Sequence, residues 1–296
     1  SYVDLRISKD KAVNEIIDGF DSASVPDNLV ADRLDSATYG LAAQIDTDGG
    51  TTLLAGSTPM NVSQITKSNI YDTIVDIRTA MSKAKIPNDG KRYLLVTPDA
   101  MSLILKSPEF ISASSLGDTV KESGAVGKIA GFLVIEWNDS TANLAMIAGH
   151  PRFATRVNEW SVGIKVQDLS GSGNYIGASA VQGRMVYDHK VLRSVAIRAV
   201  YSPATLAVSL AKGSTSGTTI ATVTSGNTGS TYAYKVNPSA RATYDMSTSA
   251  YAGTALTSGT TEISASAGDV IEIVNLSSSK VKAVAYITVG GGDVAE

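Results

Sequence analysis

The chain is 296 residues long, 43% hydrophobic and 18% charged, with mean hydropathy +0.07, a formal charge of −3 and an isoelectric point near 5.5. That composition excludes a disordered tail and gives enough apolar material for one large domain or two ordinary ones. There is no cysteine, which excludes disulfides, thiolate catalysis and Cys-ligated metals, and the charge offers no general attraction to a phosphate backbone. No apolar run approaches the roughly 18 to 20 residues that cross a bilayer, and the N-terminus lacks a signal-peptide layout. The first residue is Ser1, not Met, and a strand-like run begins at once, so upstream residues are expected.

Residues 2–7 alternate and read as an exposed strand, and residues 10–21 as a short mixed strand or turn. Residues 26–45 read as a helix of about 30 Å. Ser24 or Val25 precedes Pro26 at the first turn, and Leu29, Leu34, Ala37, Leu41 and Ile45 recur at three-to-five spacing. The Gly- and Thr-rich residues 46–59 read as a loop. Ser68 or Asn69 caps a second helix, on which Ile70, Ile74, Ile77, Met81 and Ala84 make one apolar face.

Residues 93–96 form an apolar strand, and Thr97-Pro98-Asp99 opens a helix that stops before Pro108. Residues 110–127, rich in Ser, Ala and Gly, read as a surface loop or weak helix. Two buried strands follow at 132–137 and 144–148, then a partly exposed one at 160–167 and a glycine-rich hinge at 171–183. Residues 185–200 carry two strand-like runs around a turn at Asp188-His189-Lys190. From Tyr201 on, helical periodicity disappears. Seven short runs, at 206–210, 219–223, 232–236, 242–246, 261–265, 270–274 and 281–289, predict a small antiparallel β-sandwich, with the last residues frayed.

Few residue patterns point to chemistry. His150 and His189 lack metal-ligand spacing and read as structural or exposed. The glycines from Gly124 to Gly131 lack the order of a phosphate loop and precede a strand where such a loop needs a helix. The pairs Asp18/Asp21 and Asp46/Asp48 do not fit calcium-loop spacing. There is no GxSxG elbow. Arg152, Arg156 and Glu159 read as an intersubunit or surface salt-bridge cluster. The expectation is no catalytic residue, no cofactor, no metal and no enzyme activity.

The order of elements resembles the major capsid proteins of tailed bacteriophages, the Hong-Kong-97-type fold also used by encapsulin shells. The segments that carry the resemblance are DLRISKDKAVNEIIDGFD with the helix at 26–45, LLVTPDAMSLIL, VGKIAGFLVIEWND, LAMIAGHPRFA and GRMVYDHKVLRSVAI. The resemblance implies an α+β shell domain over residues 1–202, with a spine helix at about 26–45, an axial domain at about 88–182 and a peripheral domain. The family's N-terminal arm and the outgoing strand of its extended loop would precede Ser1. An all-β, immunoglobulin-like sandwich would follow at 203–290, facing outward, with a flexible tail at 291–296.

It also implies self-assembly into hexamers and pentamers of an icosahedral head enclosing double-stranded DNA. The expected location is the virion, assembled in the bacterial host cytoplasm. Further partners would be other capsid, portal or decoration proteins, with packaged DNA touched only indirectly and no membrane. Phe110, Lys121, Glu122, Arg152, Arg156 and Glu159 are the expected intersubunit contacts. Two other readings compete: an encapsulin-like nanocompartment shell, and a surface adhesin that binds through the β-sandwich.

Overall fold

The structure, a computed structural model, describes residues 4–24, 29–108, 127–173, 175–225 and 230–296. In chain order β1 (Lys9–Ile17), α1 (Gly19–Ser24), α2 (Leu29–Ala55) and β2 (Thr58–Asn61) lead to α3 (Ile70–Lys83), β3 (Tyr93–Val96) and α4 (Pro98–Leu105). Then come β4 (Lys128–Ile129), β5 (Phe132–Glu136), β6 (Leu144–Gly149), β7 (Ala154–Asp168), β8 (Ser179–Val191) and β9 (Arg198–Tyr201). The C-terminal part holds β10 (Ala204–Thr205), β11 (Val208–Lys212), β12 (Thr218–Val223), β13 (Thr231–Val236), the short α5 (Thr248–Tyr251), β14 (Thr254–Leu256), β15 (Glu262–Ser264), β16 (Val270–Ser277) and β17 (Lys280–Thr288). The fold class is α+β, with strands predominating among the described residues.

The chain forms two compact units, Ser1–Thr58 with Gly149–Ile197, and Pro59–Ala148 with Arg198–Glu296. In the first, β1, β8 and β7 make an antiparallel sheet in that order. The α2 residues Ala37, Leu41 and Ile45 are buried against Ile17, Val181 and Tyr187 of this sheet. The apolar spacing of α2 thus marks the side it buries.

This helix runs through the predicted loop at 46–59 as far as Ala55, about 40 Å in all. Glycine and threonine are poor helix formers, but here tertiary partners outweigh propensity. The hydroxyls of Thr47, Thr51 and Thr52 donate to carbonyls four residues back. A Cβ on Gly49 would stand 3.3 Å from His189 Nε2, so the small residue allows helix and strand to approach closely. Three other expectations are corrected. The described part of the predicted first strand, residues 4–7, is not strand, and the first strand, Lys9–Ile17, falls largely in the stretch 10–21 read as mixed strand or turn. Gly183 lies within β8 rather than in a hinge. Asp188-His189-Lys190 are strand residues, not a turn.

In the second unit a six-stranded sheet, β2-β9-β6-β3-β5-β4, carries the fully buried β6. The strand β5 is only partly covered, with Leu133 44% and Ile135 43% exposed, whereas a buried strand is predicted there. On α3 the side chains of Ile70, Ile74, Ile77 and Met81 are at most 1% exposed. Asn69 precedes α3 without a side-chain cap; its Oδ1 accepts from the Thr66 amide instead.

The end of α3 is fastened by Arg92, itself 1% exposed. Its Nε donates to Pro87 O at 2.8 Å, Nη2 to Ile86 O at 2.5 Å, and Nη1 to Ser82 Oγ at 3.2 Å. A buried guanidinium is tolerated because its protons meet carbonyls near the negative end of a helix.

Two further sheets, β10-β17-β16-β13-β14 and β11-β12-β15, bury Ala221, Ile263, Ile271, Ile273 and Ala285 in one common core. β10 runs parallel to β17, so the larger sheet is mixed. Residues 242–246, a predicted strand, are irregular and instead meet the preceding sheet. Tyr244 N donates to Val62 O at 2.9 Å, and its ring stacks 5.6 Å from that of Tyr201. The Asn143 amide donates to both Ser202 O and Lys282 O at 3.1 Å. The expected frayed end is tied down by Ala295 N to Thr218 O at 3.0 Å.

Arg92→Met keeps the volume but strands the carbonyls of Ile86 and Pro87. It should lower stability by about 3 kcal/mol in urea unfolding, with the slope m unchanged.

Candidate functional site

Among the described residues no three His, Asp or Glu side chains converge as metal ligands. His150 is buried, and its Nδ1 accepts from Arg152 N at 3.2 Å, capping the turn Pro151–Phe153. Asp18 Oδ1 accepts from Phe20 N at the start of α1. The described end of the predicted glycine pattern, residues 127–131, leads into the β4–β5 hairpin. These groups serve local structure.

One polar seam does form, where α2 crosses β1 and β8. Tyr187, fully buried in mid-strand, donates its hydroxyl to Asp48 Oδ2 at 2.8 Å. Lys9 Nζ stands 3.2 Å from Asp48 Oδ1. On the next strand residue, Asp188 Oδ2 accepts from the Ser8 amide at 3.0 Å and from its hydroxyl at 2.8 Å. Burial works against the charge of Asp48, but the Tyr187 hydroxyl and Lys9 ammonium outweigh it, so its pKa is lowered. Burial likewise opposes Asp188, and the amides of His189 and Ser8 with the Ser8 hydroxyl bring it below the ordinary carboxylate range.

Burial lowers the pKa of His189 too, helped by Lys9 and Arg156 against the opposite pull of Asp188 and Asp48. Its Nδ1 is buried without a hydrogen-bond partner among the described residues. The seam therefore fixes helix to sheet, and its interlocked members offer no free nucleophile. Sequence reading weighed Asp48 only as half of a cation-binding pair with Asp46, and passed over Tyr187. The signal was the alternation Met185, Tyr187, His189, legible only once this stretch is taken as one strand.

The other side of the sheet carries no layer among the described residues. On it Ile16, Val157, Trp160 and Val162 are 36–50% exposed, and Arg184 lies 5.6 Å from the Trp160 ring while pairing with Asp10. Of the expected contact residues, Arg152 lies in the turn before β7, and Arg156 and Glu159 lie on β7 itself, all exposed. None of the three makes an ion pair among the described residues. Phe110, Lys121 and Glu122 fall outside the described residues. The geometry is that of a contact surface: an apolar, aromatic sheet face flanked by open strand edges.

Because Asp48 and Asp188 are depressed in the folded state, their contribution is present above the unfolded aspartate value of about 3.9 and is lost as pH falls through the folded values. Chemical unfolding between pH 7 and pH 2.5 should show stability declining below about pH 4, with a smaller decline in Asp48→Asn. Tyr187→Phe should cost about 2 kcal/mol at pH 7.

No protein-family profile matches the chain, and no curated protein sequence is significantly similar to it. Solved structures do share its fold. One described as Mycobacterium phage Che8 has a TM-score of 0.57 at 22% identity, over 67% of this chain and 72% of that one. The capsid structure of the cyanophage P-SCSP1u has a TM-score of 0.54 at 13% identity, over 66% and 72%. The asymmetric unit of the bacteriophage PhiM1 mature capsid has 0.50 at 14%, over 67% and 72%. At such identities the likeness is one of fold, and about two thirds of this chain is built on the fold of those phage structures.

Proposed function

We propose that this chain is a structural shell subunit, the major capsid protein of a tailed phage, which self-assembles into an icosahedral head around double-stranded DNA. The observation that carries the reading is the shared fold with chains from phage capsids over two thirds of its length. In this reading the fold is of the Hong-Kong-97 type, α2 is the spine helix, and residues 1–202 form the shell domain. The segment from residue 203 on is about a third of the chain, the size of the part that the likeness leaves over. We assign residues 203–290 to an immunoglobulin-like module on the outer capsid face, with residues 291–296 as its tail.

The protein's main partner is itself, in hexamers and pentamers, with other capsid, portal or decoration proteins beside it and DNA touched indirectly. Phe110, Lys121, Glu122, Arg152, Arg156 and Glu159 are the proposed intersubunit contacts. A subunit of this kind needs extended complementary surfaces and no reacting centre. The exposed sheet face with Trp160 and Val162 fits that need.

Negative-stain electron microscopy of the native full-length protein should show closed icosahedral shells, and nuclease-protected double-stranded DNA should co-purify. Shells that hold a cargo enzyme and no DNA would instead mark a nanocompartment. A protein that stays monomeric across the micromolar range, with no shells in its native source, overturns the proposal.

A further inference from the structure

The strand β7 is the open edge of its sheet: among the described residues, hydrogen bonding reaches it only from β8. It is 15 residues long, and all but Ala154, Thr155 and Ile164 are exposed, including Val157, Trp160, Val162 and Val166. A long apolar edge is a template for another strand, and natural sheets blunt such edges with charges and bulges. β7 has both, and its charges are placed symmetrically. Glu159 lies three residues before Val162 and Lys165 three after; Arg156 lies six before and Asp168 six after. These four are all the charged residues of the strand.

Each half of β7 also carries one bulge, at unequal distances from Val162. One register shift falls between Asn158 and Trp160, the other between Val162 and Lys165. With one extra residue per half, the two halves stay in phase. Arg156 is opposite His189 and Asp168 is opposite Ser179, positions an even number of residues apart on β8, so both side chains project to one side of the sheet.

We infer that β7 pairs antiparallel with β7 of a second copy of this chain, about a two-fold axis at Val162, joining two three-stranded sheets into one of six. In this register Arg156 of each copy faces Asp168 of the other, and Glu159 faces Lys165, giving four favourable charge pairs. A one-residue slip in either direction breaks this matching and turns facing side chains to opposite sides of the sheet. An isologous contact of this kind requires a surface complementary to itself, as the charge order of β7 is. Arg156, Glu159 and Lys165 have no ion-pair partner within the chain among the described residues, and Asp168 Oδ1 meets only its own turn, at Ser170 N. Beside the axis, Leu41, Ile45, Val162, Ile164 and Met185 line an apolar groove of about 450 Å³, which the joined edges would border.

As an intersubunit contact this rests on the self-assembly proposed above, although pairing itself needs only two copies. The chain has no cysteine, so a single introduced one reports cleanly. In the full-length protein, Val162→Cys faces itself across the axis at a Cα separation within the roughly 4.4–6.8 Å that a disulfide spans. Mild oxidation should give a covalent dimer on a non-reducing gel. Val166→Cys alone should not, because its opposite residue is Asn158; mixing Val166→Cys chains with Asn158→Cys chains should. As a second measurement, Glu159→Lys places like charges opposite each other at two symmetry-related points and should weaken self-association roughly tenfold. Adding Lys165→Glu to the same chain should restore it.

Shells that form normally while Val162→Cys gives no dimer overturn the pairing and leave the shell reading standing. A dimer without shells does the reverse. Equal crosslinking of Val162→Cys and Val166→Cys, or charge reversal without effect, also overturns the pairing.

Discussion

One long helix packed on one face of a three-stranded sheet is the constraint on which the first unit depends. Three strands and one helix can bury only two surfaces against each other, so among the described residues the sheet keeps one bare face and two free edges. The helix has to stay continuous to cover the whole sheet, and that explains why α2 persists through a Thr- and Gly-rich stretch that would not be helical alone. At Gly49, where the helix passes beside His189, a larger residue would crowd the imidazole. The Tyr187–Asp48–Lys9 seam then locks the helix at one place along the sheet, since a buried phenol and carboxylate left unmatched cost more than an apolar mismatch.

The most apolar elements were the most legible in the sequence. The spacing of Ile70, Ile74, Ile77 and Met81 and the Thr97-Pro98 opening specify α3 and α4 with nearly their observed bounds, because local pattern and tertiary burial agree. Reading failed where tertiary contacts override local preference. The second half of α2 looks like a loop because threonine and glycine hide a helix whose hydroxyls bond back to its own carbonyls. The Asp188-His189-Lys190 run looks like a turn because it is polar, yet Ser8 and the neighbouring backbone amide satisfy Asp188 within the strand. Arg92 carries no local sign of burial. Its partners come from the segment just before it, and only the fold turns that segment back over the guanidinium.

The candidate surface was legible in part. Arg156 and Glu159 could be singled out as charges without a chemical purpose, but their setting on an exposed 15-residue edge strand depends on where β8 pairs, which periodicity alone does not give. The C-terminal sheets show the opposite balance. Alternation predicts most of their strands, while the attachment of that segment rests on side chains that look unremarkable in sequence. Asn143 spans two carbonyls far apart in the chain, and Tyr244 stacks on Tyr201. A module fixed by amide and aromatic contacts at its base is held in a set orientation, whereas one hung on a flexible linker is not.

A shell reading and a self-complementary edge also agree energetically. Surface charge pairs and exposed edge contacts are each worth little, so two copies joined by them alone would associate weakly. In a closed lattice every subunit repeats the same contacts with several neighbours, and closure makes each further contact intramolecular, so weak contacts add to a stable whole without any of them being strong enough to trap a misplaced subunit. In the proposed pairing the charges on β7 serve that balance. A purely apolar edge of this length would join any exposed strand, whereas alternating charges with a bulge in each half allow few registers and penalise the rest. The features that make β7 look defended against aggregation are then the ones that make it selective for its own copy.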